Sequence, residues 1–155
     1  MVEFLYRTLQ ASDRYRPELV SVALSSTDRA SVRLTDPSSW DGVKVHEETT
    51  GSLSYQHVGA HATEVEYQRY QPRAKLSELL DQADLVQVVA GTPAWAEICR
   101  DVSVPVALQV ATLARVERAA ALTGSGGHPV DLWRRAMTRL TDHLDHRALR
   151  HVDTA

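Results

Sequence analysis

The second half of the chain alternates short apolar segments with segments of helical spacing. Asp84–Ala90 and Pro105–Ala111 consist mainly of Val, Leu and Ala. Such nearly continuous apolar runs are typical of strands that are buried on both faces of a parallel sheet. Pro93–Arg100, which lies between them, has a proline near its start and apolar residues at helical intervals, so it predicts a short helix. Together the three segments predict a right-handed βαβ unit.

Three other segments have the periodicity of amphipathic helices. Val2, Leu5 and Leu9 recur at helical spacing, so the chain is predicted to begin inside a helix. Leu76–Gln82 predicts a helix that leads into the first of the two strands. A last helix is predicted to begin near Pro129 and to lay one apolar face on the sheet. The apolar positions of that face are Trp133, Met137, Leu140, Leu144 and Ala148.

The first half of the chain carries weaker patterns. Leu19–Leu24 predicts a strand, and Ser31–Leu34 predicts a shorter one. Thr35–Gly51 is rich in Ser, Thr, Asp and Glu, which favours loops. Within it, Val43–Val45 predicts one short strand.

Composition narrows the class of protein. The 155 residues are 43% hydrophobic and 24% charged, as in an average soluble domain, which predicts one domain over residues 1–155. No segment approaches the roughly 18 apolar residues of a membrane helix, and the N-terminus has no signal pattern, so the predicted location is the cytoplasm. The net charge of -3 and the lack of a visible basic stripe disfavour nucleic acid as a partner. Cys99 is the sole cysteine, which excludes an internal disulfide and a cysteine zinc cluster.

These elements predict an α/β fold of the Rossmann-like, doubly wound type with a mainly parallel sheet. The sheet is expected to be incomplete at both ends. An α/β domain normally has a strand before its first helix, whereas this chain starts within that helix. At the other end, His151–Ala155 leaves the last helix where another strand is expected. We therefore expect the chain to be a piece of a larger protein.

The candidate binding residues follow the two predicted parallel strands, because open parallel sheets bind ligands at the carboxyl ends of their strands. Gly91 and Thr92 follow the first strand and open a helix, so their amides can face an anionic or hydroxylated ligand. Thr112 follows the second strand, and Glu117 and Arg118 come one or two turns later. Glu117 can accept hydrogen bonds from sugar hydroxyls, and Arg118 can pair with a phosphate or carboxylate. An ordinary strand-to-helix turn and a solvated helical pair explain the same residues equally well.

A histidine cluster raises the question of a metal site. His57 and His61 are four residues apart, and Glu64 is three further on, so a helix would place all three on one face. Gly59 weakens such a helix, and the alternation of polar and apolar residues in Leu53–His57 favours a strand. We expect no metal, and we interpret His57 as a polar contact at a strand end.

Two further segments can be interpreted without a binding site. Thr123–His128 is rich in glycine, but it follows a helix and lacks a Gly-Lys-Ser/Thr motif, so it predicts a flexible linker rather than a phosphate cradle. Glu64–Tyr70 mixes acids, an arginine and two tyrosines. It is compatible with a carbohydrate-facing surface and equally with an exposed connector.

Four segments carry a family resemblance. Asp84–Ala96 contains Asp-Leu-Val-x-Val, and Val104–Thr112 contains x-Pro-Val-x-x-x-Val-x-Thr. In this order they resemble two successive strands of the N-terminal half of GT-B glycosyltransferases of the family 4 type. Val2–Leu9 resembles the first helix of that family, and Arg147–Ala155 resembles its lead into the next strand. The resemblance therefore spans nearly the whole chain.

The resemblance implies two Rossmann-like domains in the complete enzyme, with the active site in the cleft between them. The N-terminal domain would hold the sugar or glycolipid acceptor, and a second domain, absent here, would hold the nucleotide sugar. It implies a retaining transfer without a metal or other cofactor, and a glycolipid acceptor implies peripheral contact with a membrane. The histidine that is frequent in the family after the second strand is not found, because Thr112–Ala114 occupies that region. The catalytic residue is therefore unknown, and this chain alone should not transfer sugar.

Two alternatives from other classes stay open at this point. The first is a free-standing, non-catalytic α/β module for binding or regulation. The second is a metal-dependent hydrolase that uses His57 and His61.

Overall fold

The computed structural model describes residues 2–122 and 129–154; at Arg118 and at residues 120–122 and 129–131 it gives the backbone only. The predicted linker Thr123–His128 lies outside the described residues. The chain divides into two compact units, residues 1–69 and 70–155. Both contain helices and parallel strands, so the α/β class is confirmed. The single Rossmann-like domain stays a prediction.

The first unit contains a three-stranded sheet with two short helices. Its helices are α1 (Val2–Gln10) and α2 (Glu66–Arg69), and its strands are β1 (Val20–Val22), β2 (Val45–Thr50) and β3 (Leu53–Val58). The strand order is β1-β3-β2, with β1 parallel and β2 antiparallel to β3. Gly51 has a φ of +62°, a conformation that glycine adopts at little cost, and it lies in the turn between β2 and β3.

Two predictions for the first unit are wrong. The short strand predicted at Val43–Val45 is instead the six-residue β2 at Val45–Thr50, so the end of the loop-rich range Thr35–Gly51 is a strand. The alternation signal is missing from β2 because five of its six residues are exposed and the strand is largely polar. Ser31–Leu34 is not a strand, because its pairing is limited to two isolated bridges, Val32 with His61 and Arg33 with Asp36.

The second unit contains the predicted βαβ arrangement. Its elements are α3 (Ala74–Leu80), β4 (Val86–Ala90), a 3₁₀ helix (Pro93–Cys99), β5 (Val106–Val110), α4 (Ala114–Leu122) and α5 (Pro129–Ala148). β4 and β5 pair in parallel over five residues, from Val86 opposite Val106 to Ala90 opposite Val110. The connecting helix is a 3₁₀ helix of seven residues. The N-terminal helix, the helix before β4 and the long last helix are confirmed with small changes of their bounds. The apolar face predicted for the last helix is wrong at Trp133, which is 61% exposed.

The residues after α5 extend the β4-β5 sheet. The Leu108 amide donates to the Thr154 carbonyl at 2.8 Å, and the Asp153 amide donates to the Val106 carbonyl at 3.0 Å. The Asp153 carboxylate also accepts from the Val106 amide at 2.8 Å. Where the sequence predicts a further strand, the described residues contain one isolated parallel bridge, between Ala107 and Thr154.

The packing of the second unit places α5 on the 3₁₀ helix and on β5. Ala96, Leu108 and Ala148 form a buried apolar cluster, against which Val88 and Val152 pack. An ion pair joins the same elements, because the fully buried Glu97 accepts from Arg147 Nε at 2.7 Å. A charge buried this deeply is tolerated only when it is paired.

Gly59 gives a direct test of the fold of the first unit. A Cβ at this position would lie 2.0 Å from the Ala30 carbonyl oxygen and 2.8 Å from the Ser31 amide nitrogen. We expect Gly59→Ala to lower the free energy of unfolding by about 3 kcal/mol, because backbone atoms must move to relieve the overlap. Urea denaturation measures the loss. Gly91→Ala is the control, since a Cβ there meets nothing within 4 Å; equal stability of the two variants would contradict the packing of Gly59.

Candidate functional site

The carboxyl ends of β4 and β5 bring three of the predicted binding residues together. The Thr112 amide donates to the Gly91 carbonyl at 3.1 Å, so the two turns that follow the strands are joined. Thr92 is in extended conformation at the start of the 3₁₀ helix, and its side chain makes no capping hydrogen bond. Gly91 is exposed, and the space beside it is open. Thr92 itself is buried, with 7% of its surface exposed, and Thr112 is partly exposed. This edge of the sheet therefore presents the Gly91 backbone to free space, with one partly exposed hydroxyl at Thr112.

A single carboxylate holds the two helices that follow these strands. Asp145 of α5 is fully buried. Its Oδ1 accepts from the Ala94 amide at 2.7 Å, and its Oδ2 accepts from the Ala114 amide at 2.7 Å. These amides belong to the first turns of the 3₁₀ helix and of α4, where backbone donors have no partner within their own helix. Asp145 thereby fixes both turns at the candidate site.

Opposing effects act on the ionisation of Asp145. Burial raises the pKa of its carboxyl above the ordinary 3.8, and the nearby Asp142 acts in the same direction. The Ala114 and Ala94 amides lower it, because they stabilise the ionised form. The net pKa is raised.

The two remaining candidates from this region contribute less. Glu117 is exposed on the first turn of α4. The Arg118 side chain lies outside the described part of the structure. The proposed pairing of Glu117 with a sugar hydroxyl and of Arg118 with a phosphate or carboxylate therefore stays a prediction.

His57 lies in the other unit and forms part of a hydrogen-bonded relay. Its Nδ1 is 2.7 Å from Ser21 Oγ, and its Nε2 is 2.7 Å from Asp28 Oδ2. Because a carboxylate only accepts, Nε2 carries the proton in the neutral ring, and Nδ1 accepts from the Ser21 hydroxyl. The His57 and Asp28 side chains are 12% and 14% exposed. We call Ser21, His57 and Asp28 the serine relay.

The local fold fixes the serine relay. Ser21 and His57 are directly opposite each other in the parallel pair of β1 and β3, so they share one face of the sheet. Asp28 lies in the loop after β1, where its Oδ1 accepts from the Ala30 amide at 3.0 Å and from Ser31 Oγ at 2.6 Å. Ser31 Oγ in turn accepts from the Ala60 amide at 2.9 Å. Strand register therefore holds Ser21 and His57 in place, and hydrogen bonds from the Ala30 amide and the Ser31 hydroxyl hold Asp28.

A second histidine–carboxylate pair lies on the same face. His46 is opposite His57 in the β2-β3 register, and the ring centroids are 5.4 Å apart. Glu48 joins His46 Nε2 at 2.8 Å and the Tyr55 hydroxyl at 3.0 Å. The hydrogen bond from His46 and then that from Tyr55 lower the pKa of the Glu48 carboxyl.

A shallow cavity of about 430 Å³ lies elsewhere in the first unit. Among its lining residues are Tyr6 of α1, Val20 of β1, Glu47 of β2 and Gln56 of β3. The register puts the three strand residues on the face opposite to His57. His46 and Tyr55 also line the cavity, whereas none of the three relay residues Ser21, Asp28 and His57 does.

The helix required by the metal-site hypothesis does not form. His57 lies in β3, and His61 is exposed and bridges to Val32. Glu64 Oε1 instead accepts from the Thr35 amide and hydroxyl. Within residues 2–122 and 129–154, no three His, Cys, Asp or Glu side chains are arranged to hold a metal ion. The helical arrangement on which the metal-site hypothesis depends is therefore wrong, and the metal-dependent hydrolase stays a hypothesis.

The sequence analysis missed Ser21, Asp28 and Asp145. Ser21 and Asp28 carry no local motif, and they become significant only when the register places them beside His57. Asp145 had a visible signal, because it stands between Leu144 and Ala148 on the predicted apolar face of the last helix. Cys99 is not a further candidate, since burial raises the pKa of its thiol to about 11 and keeps the reactive thiolate scarce.

Comparisons of the chain with protein-family models, with curated proteins and with solved structures find no match.

Replacing Asp145 tests whether the two turns depend on one carboxylate. Asp145→Ala leaves two buried amides without an acceptor, each at a cost of about 1–3 kcal/mol. We therefore expect the free energy of unfolding to fall by about 2–5 kcal/mol, with Asp145→Asn intermediate because it keeps one acceptor oxygen. Urea denaturation measures both variants.

Asp101→Ala serves as the control for this experiment. The Asp101 side chain is 60% exposed, so the expected change is within about 0.5 kcal/mol. If Asp145→Ala were as stable as this control, the carboxylate would not be holding the two turns.

Proposed function

We propose that this chain is the acceptor-binding part of a GT-B glycosyltransferase of the family 4 type, with a Rossmann-like fold. The resemblance of four segments to the N-terminal half of that family suggests the class. The observation that carries the proposal is the junction of Gly91 and Thr112, which lie together at the carboxyl ends of parallel β4 and β5. Ligands of open α/β sheets bind at this edge.

The chemistry of this edge suits a hydroxylated ligand. Thr112 offers a partly exposed hydroxyl that donates and accepts, Thr92 adds a hydroxyl on a residue that is only 7% exposed, and Glu117 offers an exposed carboxylate one turn into α4. Sugar hydroxyls need donors and acceptors together, whereas a phosphate group needs donors alone. This set therefore favours the acceptor over the nucleotide sugar, whose leaving diphosphate requires electrostatic stabilisation.

The exposed face of α5 favours an acceptor that is presented at a membrane. Helical spacing puts four exposed basic or titratable residues on this face, and the exposed Arg150 follows in the turn after the helix. Together they form what we call the basic strip: Arg135, Arg139, His143, His146 and Arg150. Leu132 and Trp133 lie exposed at the N-terminal end of the same helix. Of these two, only Leu132 lies on the side of the basic strip, and arginines beside an exposed apolar residue are typical of surfaces that bind anionic lipid headgroups.

Peripheral contact with a membrane is therefore part of the proposal. No helix in the described ranges is long and apolar enough to span a bilayer. The basic strip was not predicted from the sequence. Its residues are three or four positions apart, and they form a surface only because the opposite side of α5 is buried. A glycolipid headgroup would bring the acceptor hydroxyls to such a surface.

Saccharide binding tests the acceptor site. We expect titration with methyl glycosides of glucose, galactose, mannose and N-acetylglucosamine to shift the amide resonances of Gly91, Thr92 and Thr112 for at least one sugar. Thr92→Val and Thr112→Val each remove one hydroxyl, so the affinity should fall about fivefold, as for the loss of one hydrogen bond of about 1 kcal/mol. Thr49→Val in β2 is the matched control and should leave the affinity unchanged.

Two results would count against the acceptor-binding proposal. Shifts confined to other residues, or an equal loss in Thr49→Val, would remove the strand-end site and favour a free-standing binding module without transferase function. A clear rise in Tm with UDP-glucose or GDP-mannose would contradict an acceptor-side assignment, because a ligand stabilises only the protein that binds it.

Sedimentation with lipid vesicles tests the basic strip. We expect the chain to bind vesicles of one-third phosphatidylserine at low salt and to be released as salt screens the attraction. Arg135→Glu/Arg139→Glu should weaken the partition about thirtyfold or more, because each cation near an anionic surface contributes about 1 kcal/mol.

The control carries the same change of charge at another place. Arg14→Glu/Arg16→Glu replaces two exposed arginines that lie outside α5 and should bind vesicles like the unmodified chain. Equal loss in both double variants would show a general charge effect. Preference for a short DNA duplex over the vesicles would assign the strip to nucleic acid instead.

A further inference from the structure

The serine relay has the connectivity of an activated nucleophile. A hydroxyl, an imidazole and a carboxylate are joined in sequence by two contacts of 2.7 Å, within the range of well-formed hydrogen bonds. Neither Ser21 nor Asp28 belongs to the strand-end site proposed for the acceptor. We propose that Ser21 is a nucleophile that reacts with activated acyl esters, with His57 as its base and Asp28 as the residue that positions the base. This activity is independent of the glycosyltransferase proposal.

The positions of the three side chains are determined before any ligand binds. Ser21 and His57 are held by strand register, and Asp28 is held by the Ala30 amide and the Ser31 hydroxyl. Because Asp28 occupies Nε2, the Nδ1 lone pair of His57 points to the serine. The base therefore needs no reorganisation to take the hydroxyl proton, which is the requirement for general-base activation of serine.

The two ring nitrogens are used in the reverse sense of the familiar serine hydrolase relay, in which the serine contacts Nε2. The chemistry is the same, because either nitrogen of a neutral imidazole accepts a proton while the other donates to a carboxylate. Ser21 is half-buried in a strand at the edge of its sheet.

The reaction is hydrolysis of an ester in two steps. Ser21 Oγ forms a bond to the acyl carbon and gives its proton to His57 Nδ1. The carbon–oxygen bond of the ester then breaks, and the departing alkoxide takes that proton and leaves as an alcohol. Water attacks the acylated serine, His57 Nδ1 takes a proton from the water and returns it to Ser21 Oγ, and the carboxylic acid is released. Ester and water thus give acid and alcohol, with the relay restored.

Labelling with a fluorophosphonate probe tests the nucleophile directly. We expect one probe per chain, located at Ser21 by peptide mass spectrometry. p-Nitrophenyl acetate should release a burst of about one equivalent of nitrophenol, at a rate at least 100-fold above that of Ser21→Ala. Ser54→Ala is the matched control and should leave both readouts unchanged. Ser54 is also a strand serine, but its hydroxyl donates to the Glu47 carboxylate and not to an imidazole.

Two variants separate activation from a structural role. His57→Gln keeps a polar side chain of similar reach but has no basic nitrogen, so labelling of Ser21 should fall to the level of other serines while the Tm changes little. Asp28→Asn should lower the rate and move its pH profile, since the amide no longer fixes the protonated nitrogen. Labelling of Ser21 that is no faster than that of Ser54, or that is unchanged in His57→Gln, would overturn the proposal and leave the relay as a structural contact.

Discussion

The second unit depends on the hydrogen bonds that Asp145 accepts. Both helices that follow the parallel strands begin on this carboxylate, and each contact is 2.7 Å long. A helix start that is buried without an acceptor is costly, because its free amides have lost their hydration. The positions of the turns at the candidate acceptor site therefore follow from one acidic side chain on a distant helix. The proposed binding groups contribute little to this arrangement themselves.

The first unit depends on strand register instead. β3 lies between its two partners and pairs Ser21 on one side and His46 on the other with the same residue, His57. A slip of one residue in either pair would turn the partner side chain to the opposite face. The polar network on this face is therefore a consequence of the pairing, and Gly59 permits the close approach of the Ala30 backbone just beyond the strand.

The sequence predicted those parts of the fold in which a single segment carries its own signal. The apolar runs around Val86–Ala90 and Val106–Val110 gave both strands of the βαβ unit, and the periodicity of α5 gave the longest helix. β2 was missed because its exposed polar residues have no buried face that would impose alternation.

The candidate sites also differ in whether a single segment of the sequence predicts them. Gly91, Thr92 and Thr112 could be predicted because a general rule ties ligand sites to strand ends. His57 was predicted from the alternation of its own strand, but its partners Ser21 and Asp28 are 36 and 29 residues away. No pattern within one segment encodes such a contact, which arises from the pairing of two strands and the path of a loop.

The reach of Asp145 along the chain has a consequence for the order of folding. Its two amide partners precede it by 51 and 31 residues. During synthesis, the first turns of both helices therefore lack this hydrogen-bond acceptor until α5 has emerged. Closing such long loops costs conformational entropy that the early strands alone do not repay. The second unit should consequently fold in one cooperative step, and only after α5 has been synthesised. In the finished protein, the Ala94 and Ala114 amides should exchange with solvent through the same opening event, because a single departure of α5 frees both.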